Sequence, residues 1–396
     1  MRVVIVGPGR IGCGYLAPVF RDAGWEIVLA ARTEEGAARI RRAGGFDVRI
    51  TAPAVSKIAV GGVAAVAVGT GEFDEAVAGA DLVCTAVGVG NVAALAHPLA
   101  RALSQRPGSR ALDVWVIENG DCASELAEAV REQARGPLPQ VGFAGGVATA
   151  VVARGDWRQD RRPVFVGDRP RQLYLDARTL RTSVPLPVGM EATDLYPARL
   201  AEKLYAFNAA HAICAYLGWL RHHGTIDQAV ADPFLKPMVA GCLLESRRAL
   251  VQAHPQLDGD LHGPAADAMR RFADPELSDP IPRVAREPLR KLAPGDRLLG
   301  AVELIRSVTG RVPSYFSLAV AAALLYRHAH DPQALQLGDR LACEGFRSVL
   351  ADVCGLLPDD PFASAVEQHY RTFVFTDEET LFPPVYAAAA SLQGAG

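Results

Sequence analysis

The sequence predicts an α/β domain built on a parallel sheet, followed by a mostly α-helical domain. Three observations lead there. Strand-like and helix-like stretches alternate through about the first 170 residues, a glycine-rich turn joins the first strand to the first helix, and from Glu191 the pattern changes to long helical runs. A length of 396 residues favours two domains, drawn here as 1–188 and 189–396. Arg2–Val6 is a short buried-strand run, and a helix follows to about Ala23. Glu26–Ala30 and Glu34–Ala43 read as the second strand and helix. Asp81–Val87 and Asp113–Ile117 supply further strands, each ending in Gly or Asn before a helical stretch. Residues 44–71 are Val/Ala/Gly-rich and read as extra strands or loops. Residues 155–187, rich in Arg, Asp and Pro with a short strand at Val164–Val166, read as the end of the sheet domain. Helices are expected over 196–220, 237–253, 297–308, 315–329, 334–353 and 362–373.

Composition narrows the functional classes. Half of the residues are hydrophobic, 21% are charged and the net charge is −3, so no basic footprint for nucleic acid or membrane exists. The run 315–326 is too short to span a bilayer, and no signal-peptide pattern precedes Arg2, which together predict a cytoplasmic protein. The seven cysteines show no paired spacing and suit a reducing compartment. His222 and His223 are adjacent on a helix and diverge, the other histidines lack ligand spacing, and no metal site is expected. The expected partner is a small molecule, bound by a monomer or small homo-oligomer. Only Lys57, Lys203, Lys236 and Lys291 are lysines among 41 basic residues. Each merits scrutiny, because arginine cannot release a proton near neutral pH.

Gly7-Pro8-Gly9-Arg10-Ile11-Gly12 is a Gly-x-Gly-x-x-Gly sequence lying between a buried strand and a helix. That context makes it a dinucleotide fingerprint and the domain Rossmann-type. The glycines permit a tight turn and close approach of a pyrophosphate to the helix N-terminus. At the end of the second strand an NAD-selecting carboxylate is missing. Ala31 stands there, followed by Arg32 and Thr33, and Arg10 offers a second cation. A 2′-phosphate pairs well with a guanidinium, so NADP(H) is favoured over NAD(H).

The second domain opens with a run from Glu202 to His211 that reads as one α-helix. At about 100° per residue, Lys203, His211 and Asn208 fall at roughly 0°, 80° and 140° around its axis. One side then offers an amine, an imidazole and an amide to a single cavity, expected in the cleft between the domains. Such a set suits alcohol oxidation. The lysine takes the hydroxyl proton, the asparagine steadies the developing alkoxide and the histidine orients a hydroxyl.

These residues carry a family resemblance. Glu191-Ala192-Thr193-Asp194, the Lys-x4-Asn-x2-His helix, Ala212–Gly218 and Arg286-Glu287-Pro288-Leu289-Arg290-Lys291-Leu292 resemble the mannitol-1-phosphate 5-dehydrogenase branch of the polyol-specific long-chain dehydrogenases, the mannitol dehydrogenase family. So do the turn Gly7–Gly14, Thr85-Ala86-Val87-Gly88 and Glu118-Asn119. The resemblance implies a zinc-free dehydrogenase with Lys203 as acid/base, Asn119 and Asn208 at the oxyanion, and His211 on the substrate. Gly7, Gly9, Arg10, Ile11, Gly12, Arg32, Thr33, Ala86, Val87 and Gly88 are then the expected cofactor residues.

Of the basic segment Arg283, Arg286, Arg290, Lys291 and Arg297, Arg286 and Lys291 are the expected substrate contacts. An ion-pair network is the competing reading of the same segment. This chain departs from the branch at Arg10, Cys13 and Ala31, and at 146–150, where an Asp-Arg pair is usual. Without that relay carboxylate, either Glu202 or a water chain carries the proton, or the substrate and direction differ. The expected substrate is a polyol, ketose or sugar phosphate. The alternatives are a non-phosphorylated or cyclic compound, and a non-catalytic NADP-binding sensor.

Overall fold

The structure is a computed structural model that describes residues 1–108, 110–157, 162–168 and 172–376. Residues 158–161 and 169–171 of the expected connecting stretch lie outside the described residues. The chain divides into two compact units, Met1–Leu200 and a second beginning at Ala201. The division falls beyond residue 188 because the sheet continues further than its sequence pattern suggested.

The first unit holds twelve strands among its described residues: β1 Arg2–Val6, β2 Glu26–Ala31, β3 Gly45–Ile50, β4 Ser56–Gly61, β5 Ala64–Ala67, β6 Leu82–Thr85, β7 Leu112–Ile117, β8 Val141–Ala148, β9 Val152–Arg154, β10 Val164–Gly167, β11 Leu173–Asp176 and β12 Met190–Thr193. The main sheet runs β12-β11-β8-β7-β6-β1-β2-β5. From β5 to β8 every neighbouring pair is parallel. This is the doubly wound order, in which the chain leaves the centre in two directions and creates a crevice beyond the strand ends. Strand β11 is antiparallel to β8, and β12 lies parallel to β11. The run after Met190 therefore begins as an edge strand, not as a helix. The stretch left open between strand and loop, 44–71, forms β3, β4 and β5. The first two join β9 and β10 in a separate sheet of order β4-β3-β10-β9.

Helices cover the main sheet on both faces, so its central strands are apolar throughout. Val3, Val4 and Ile5 are fully buried, as are Leu82, Val83 and Cys84. Gly7 has φ 95°, and a Cβ there would stand 2.5 Å from the Ala86 carbonyl oxygen. At Gly12 a Cβ would meet the Gly7 carbonyl oxygen at 2.2 Å. Gly9 has nothing within 4 Å of its missing Cβ. Two of the three glycines therefore exist for packing, and the third faces open space.

The second unit is helical. Its central helix, Ala209–Leu220, buries every residue from Ala209 to Gly218 and is apolar all round, as a helix enclosed by others must be. Leu235–Ala253, Leu299–Thr309, Ser314–Leu325 and Pro361–Phe375 surround the same core. The expected helix over 334–353 is two helices, Pro332–Glu344 and Phe346–Cys354. They are broken at Gly345, whose φ of 84° no helix accommodates. The expected helix over 196–220 is likewise not uniform: between Tyr196–Ala201 and Ala209–Leu220 it passes through a π-helical segment, Glu202–Asn208.

Gly12→Ala should cost about 3 kcal/mol or more of unfolding free energy, because the added methyl meets a backbone oxygen that cannot move aside. Gly9→Ala should cost under about 1 kcal/mol. Urea unfolding midpoints of the two variants test this contrast.

Candidate active site

In the first unit the candidate residues gather at the carboxyl ends of β1, β2, β6 and β7. The Gly7 N–H donates to the Ala30 carbonyl at 3.1 Å, and the Pro8 carbonyl accepts from the Trp157 indole at 2.7 Å. The turn is thus held from both sides. The first bond of the following helix runs from Cys13 N–H to the Gly9 carbonyl. The N–H groups of Arg10, Ile11 and Gly12 belong to its opening turn, where a helix favours anions. Ala31 is buried, while Arg32 and Thr33 are exposed. The Thr33 hydroxyl accepts from Gly36 N–H at 3.2 Å and caps the helix Glu34–Ala43. Glu34 pairs with Arg41 and Glu35 with Arg39, so the acids that follow Thr33 are neutralised locally. Among the described residues Arg32 has no carboxylate partner.

Ala86, Val87 and Gly88 form the loop after β6, and its conformation depends on a residue that sequence reasoning had not assigned a role. Glu118, buried at the end of β7, accepts from the N–H groups of Val87 and Gly88 at 2.8 Å each, and lies 3.4 Å from the Thr85 hydroxyl. Burial raises the Glu118 carboxyl above its ordinary range, while the bonds from Val87 and Gly88 pull it back. Asn119, the next residue, is exposed. Only the neighbouring Asn119 had drawn attention to this position, since a lone acid at a strand end carries no spacing signal.

In the second unit Lys203 and Asn208 both lie in the π-helical segment. Ala209 N–H donates to the Leu204 carbonyl, five residues back. With that spacing, residues five apart lie one above the other, as residues four apart do in an α-helix. The uniform 100° step expected from the sequence is therefore replaced by a wider turn, and the Lys-x4-Asn spacing matches it. Lys203 is 8% exposed, and its ammonium stands 3.9 Å from the centre of the Phe207 ring. The Arg271 guanidinium lies 4.3 Å from the same ring.

His211 is as buried as Lys203 and stacks on Phe272 with ring centres 4.8 Å apart. Its Nε2 is 3.2 Å from Oδ2 of Asp279. Arg283 grips the same carboxylate with both Nε and Nη2. Burial lowers the His211 pKa most, Asp279 opposes that, and the cations Arg283 and Lys203 lower it further. The Asp279 carboxyl is held far below its usual range: burial alone would raise it, but Arg283 and His211 together outweigh that. Ser278, immediately before it, has a φ of 42°, an unfavourable left-handed conformation for a residue with a Cβ. Asp279 was not foreseen, because Ser-Asp-Pro reads only as a turn.

The basic segment is largely engaged within the fold. Arg290 bonds Glu287 and Asp296 at 2.9 Å each, and Arg297 bonds Asp296 at 2.7 Å. Lys291 is 3% exposed and donates to the Arg286 carbonyl, with its pKa driven well down, mainly by burial. Of the two expected substrate contacts, Arg286 alone reaches the surface. It lies 3.6 Å from Glu287. Glu202, offered as a proton relay, is paired with the buried Arg247. A carboxylate gripped by a guanidinium is poorly suited to passing protons. No cluster able to hold a metal occurs among the described residues, and none of their helices is long and apolar enough to cross a membrane.

His211 and Asp279 both take up protons more readily unfolded than folded, so the stability they contribute is complete at neutral pH and declines as pH falls. For the imidazole the decline begins near about 6.5. Melting temperatures between pH 8 and pH 5 should fall more steeply for the native protein than for His211→Gln. Parallel curves would show that the imidazole contributes nothing.

Comparison with known proteins gives this arrangement a family. Residues 1–140 match the mannitol dehydrogenase Rossmann domain, and residues 198–352 match the mannitol dehydrogenase C-terminal domain. Over 388 residues the chain is 29% identical to a mannitol-1-phosphate 5-dehydrogenase of Bacillus pumilus (strain SAFR-032), covering 92% of this chain and 98% of that one. Mannitol 2-dehydrogenase of Pseudomonas fluorescens, solved as a ternary complex with NAD and D-mannitol, superposes with a TM-score of 0.76 at 15% identity, over 97% of this chain and 95% of that one. A substrate-free D-sorbitol dehydrogenase gives a TM-score of 0.69, also at 15% identity, over 96% and 94% of the two chains. Since both domain types match in order and the Bacillus relative aligns along nearly its whole length, the chain belongs to the mannitol dehydrogenase family.

Proposed function

We propose that the protein is a nicotinamide-dependent dehydrogenase that interconverts a secondary alcohol and a ketone on a polyol or sugar phosphate, with Lys203 as general acid/base and NADP(H) as the preferred cofactor. The observation that carries this reading is the placing of Lys203 and Asn208 five residues apart in one π-helical segment, with Lys203 and the following His211 both buried. The first unit fits a dinucleotide. Gly9 leaves room that a side chain would fill, and the N–H groups of Arg10, Ile11 and Gly12 offer an anion site beside it. When bound, the nicotinamide supplies the acceptor or donor of hydride at the substrate carbon.

The remaining work falls to this chain's own side chains. In oxidation the uncharged Lys203 amine takes the hydroxyl proton, and in reduction its ammonium returns it. The Asn208 amide donates to the oxygen as it gains negative charge, and we assign Asn119 as the second donor on the resemblance. His211 bonds a neighbouring hydroxyl. Arg32 and the Thr33 hydroxyl would meet a 2′-phosphate, a preference supported by the local neutralisation of Glu34 and Glu35. Seven free cysteines, six of them buried, suit a reducing cytoplasm.

A second reading has its own support. Arg283, Arg290 and Arg297 are engaged by carboxylates and Lys291 by a backbone carbonyl, and the exposed Arg286 itself faces Glu287, so the segment expected to clamp a phosphate is largely neutralised within the fold. A non-phosphorylated polyol or ketose follows from that observation. Rates with matched phosphorylated and free ketoses, each with NADPH and NADH, separate the two readings.

Lys203→Ala should lower kcat by at least about a hundredfold while cofactor still binds. Undiminished turnover would remove the lysine from the mechanism. Arg32→Ala should weaken NADPH binding about tenfold and leave NADH binding nearly unchanged, a difference of about 1.4 kcal/mol readable by fluorescence titration. Equal effects on both cofactors would refute the 2′-phosphate assignment.

A further inference from the structure

We infer that Asp279 is a positioning residue: it fixes His211 in the tautomer that carries its proton on Nε2, so that Nδ1 is the nitrogen offered as acceptor to a substrate hydroxyl. The inference deepens the proposed function and rests on its assignment of His211 to the substrate. It starts from the chemistry of the acceptor. A carboxylate has no hydrogen to give, and Oδ2 of Asp279 lies 3.2 Å from Nε2. The nitrogen facing it must therefore be the one bearing hydrogen. A neutral imidazole has one such nitrogen, and the other keeps its lone pair.

Several features hold the pair in this state. Arg283 binds both oxygens of Asp279, which keeps the carboxylate ionised and fixes its plane. Burial does most to keep a second proton off the ring; Asp279 opposes it, and Arg283 and Lys203 act with it. Phe272 stacks on one face at 4.8 Å, and Phe207 stands edge-on at 6.0 Å, so the ring cannot turn over freely. The Asp279 backbone is tied down as well, since its carbonyl accepts from Ile226 N–H at 2.9 Å. The left-handed Ser278 before it is backbone strain held at this position, and such strain gathers where geometry matters.

The consequence is a rule about substrates. His211 recognises a group that donates a hydrogen bond, as a hydroxyl does, and discriminates against an ether, a deoxy carbon or a carbonyl at that place. A polyhydroxylated chain meets this requirement, whether or not it carries a phosphate.

Asparagine at position 279 cannot reproduce the arrangement. Its single carbonyl oxygen cannot satisfy both Arg283 and His211, and its NH2 group would face one of those donors. Protein carrying 15N-histidine, studied by long-range proton–nitrogen NMR, reports the tautomer directly, with the His211 signals identified by their loss in His211→Gln. We expect Nε2–H in the native protein and a shift toward Nδ1–H in Asp279→Asn. The same variant should lose about 30-fold in kcat/KM for the polyol, with cofactor binding unchanged. Asp279→Glu, which retains the carboxylate, should recover the native tautomer and part of the rate. Hydrogen on Nδ1 in the native protein would overturn the inference, as would an Asp279→Asn variant with native tautomer and native kcat/KM. If Asp279→Asn does not fold, the native spectrum alone decides. Undiminished turnover in Lys203→Ala would count against the acid/base reading and leave the tautomer measurement untouched.

Discussion

A charge removed from water must be met by another charge, a polar backbone group or an aromatic face, and the helical unit is organised around that requirement. Arg247, Asp279 and Lys291 are each at most 3% exposed. Arg247 is answered by Glu202 and by the carbonyls of Asp258 and Asp260. Asp279 is answered by His211 and Arg283, and Lys291 by the carbonyl of Arg286. Lys203 rests against the face of Phe207. Each of these contacts fixes a side chain that could otherwise adopt many rotamers. The same forces that make burial tolerable therefore set the geometry of the chemical groups.

The sheet unit meets a different demand with backbone. Its ligand-facing edge consists of strand ends, where peptide groups lose their neighbours and need partners. Glu118 supplies two acceptors for the loop after β6, Trp157 supplies a donor for Pro8, and Thr33 caps the helix after β2. A floor built in this way keeps its loops in fixed conformations before any ligand arrives. Little reorganisation is then required on binding.

Much of this was legible in the sequence wherever one physical signal acted alone. The alternation of β1, β2, β6 and β7 with helices, and the glycine turn with its context, appeared as expected because burial on both faces and left-handed backbone leave clear marks. The run of 44–71 was ambiguous, since short strands that pair in a small separate sheet show no long period. Residues 190–193, at the point where the helical character begins, were not read as a strand, and only pairing with β11 makes them one. At the candidate site, Lys203, Asn208 and His211 were visible because polar groups are rare in an apolar helix. The π-helical turn that holds the first two was not, since hydrogen-bond register leaves no compositional trace. Asp279 and Glu118 escaped because their importance lies in what they touch, and those partners are distant in sequence.

The small sheet of the first unit also governs how that unit can be made. Strand β3 lies in the crossover between β2 and β5, yet its partner β10 comes near the end of the unit, and Arg162 beside that strand bonds Asp47 across 115 residues. A ribosome must therefore deliver almost the entire sheet domain before β3, which pairs with the adjacent β4 on one side, can find its neighbour on the other. Closing so long a loop carries an entropic cost early, which makes this region a late and slow step in the chain's assembly.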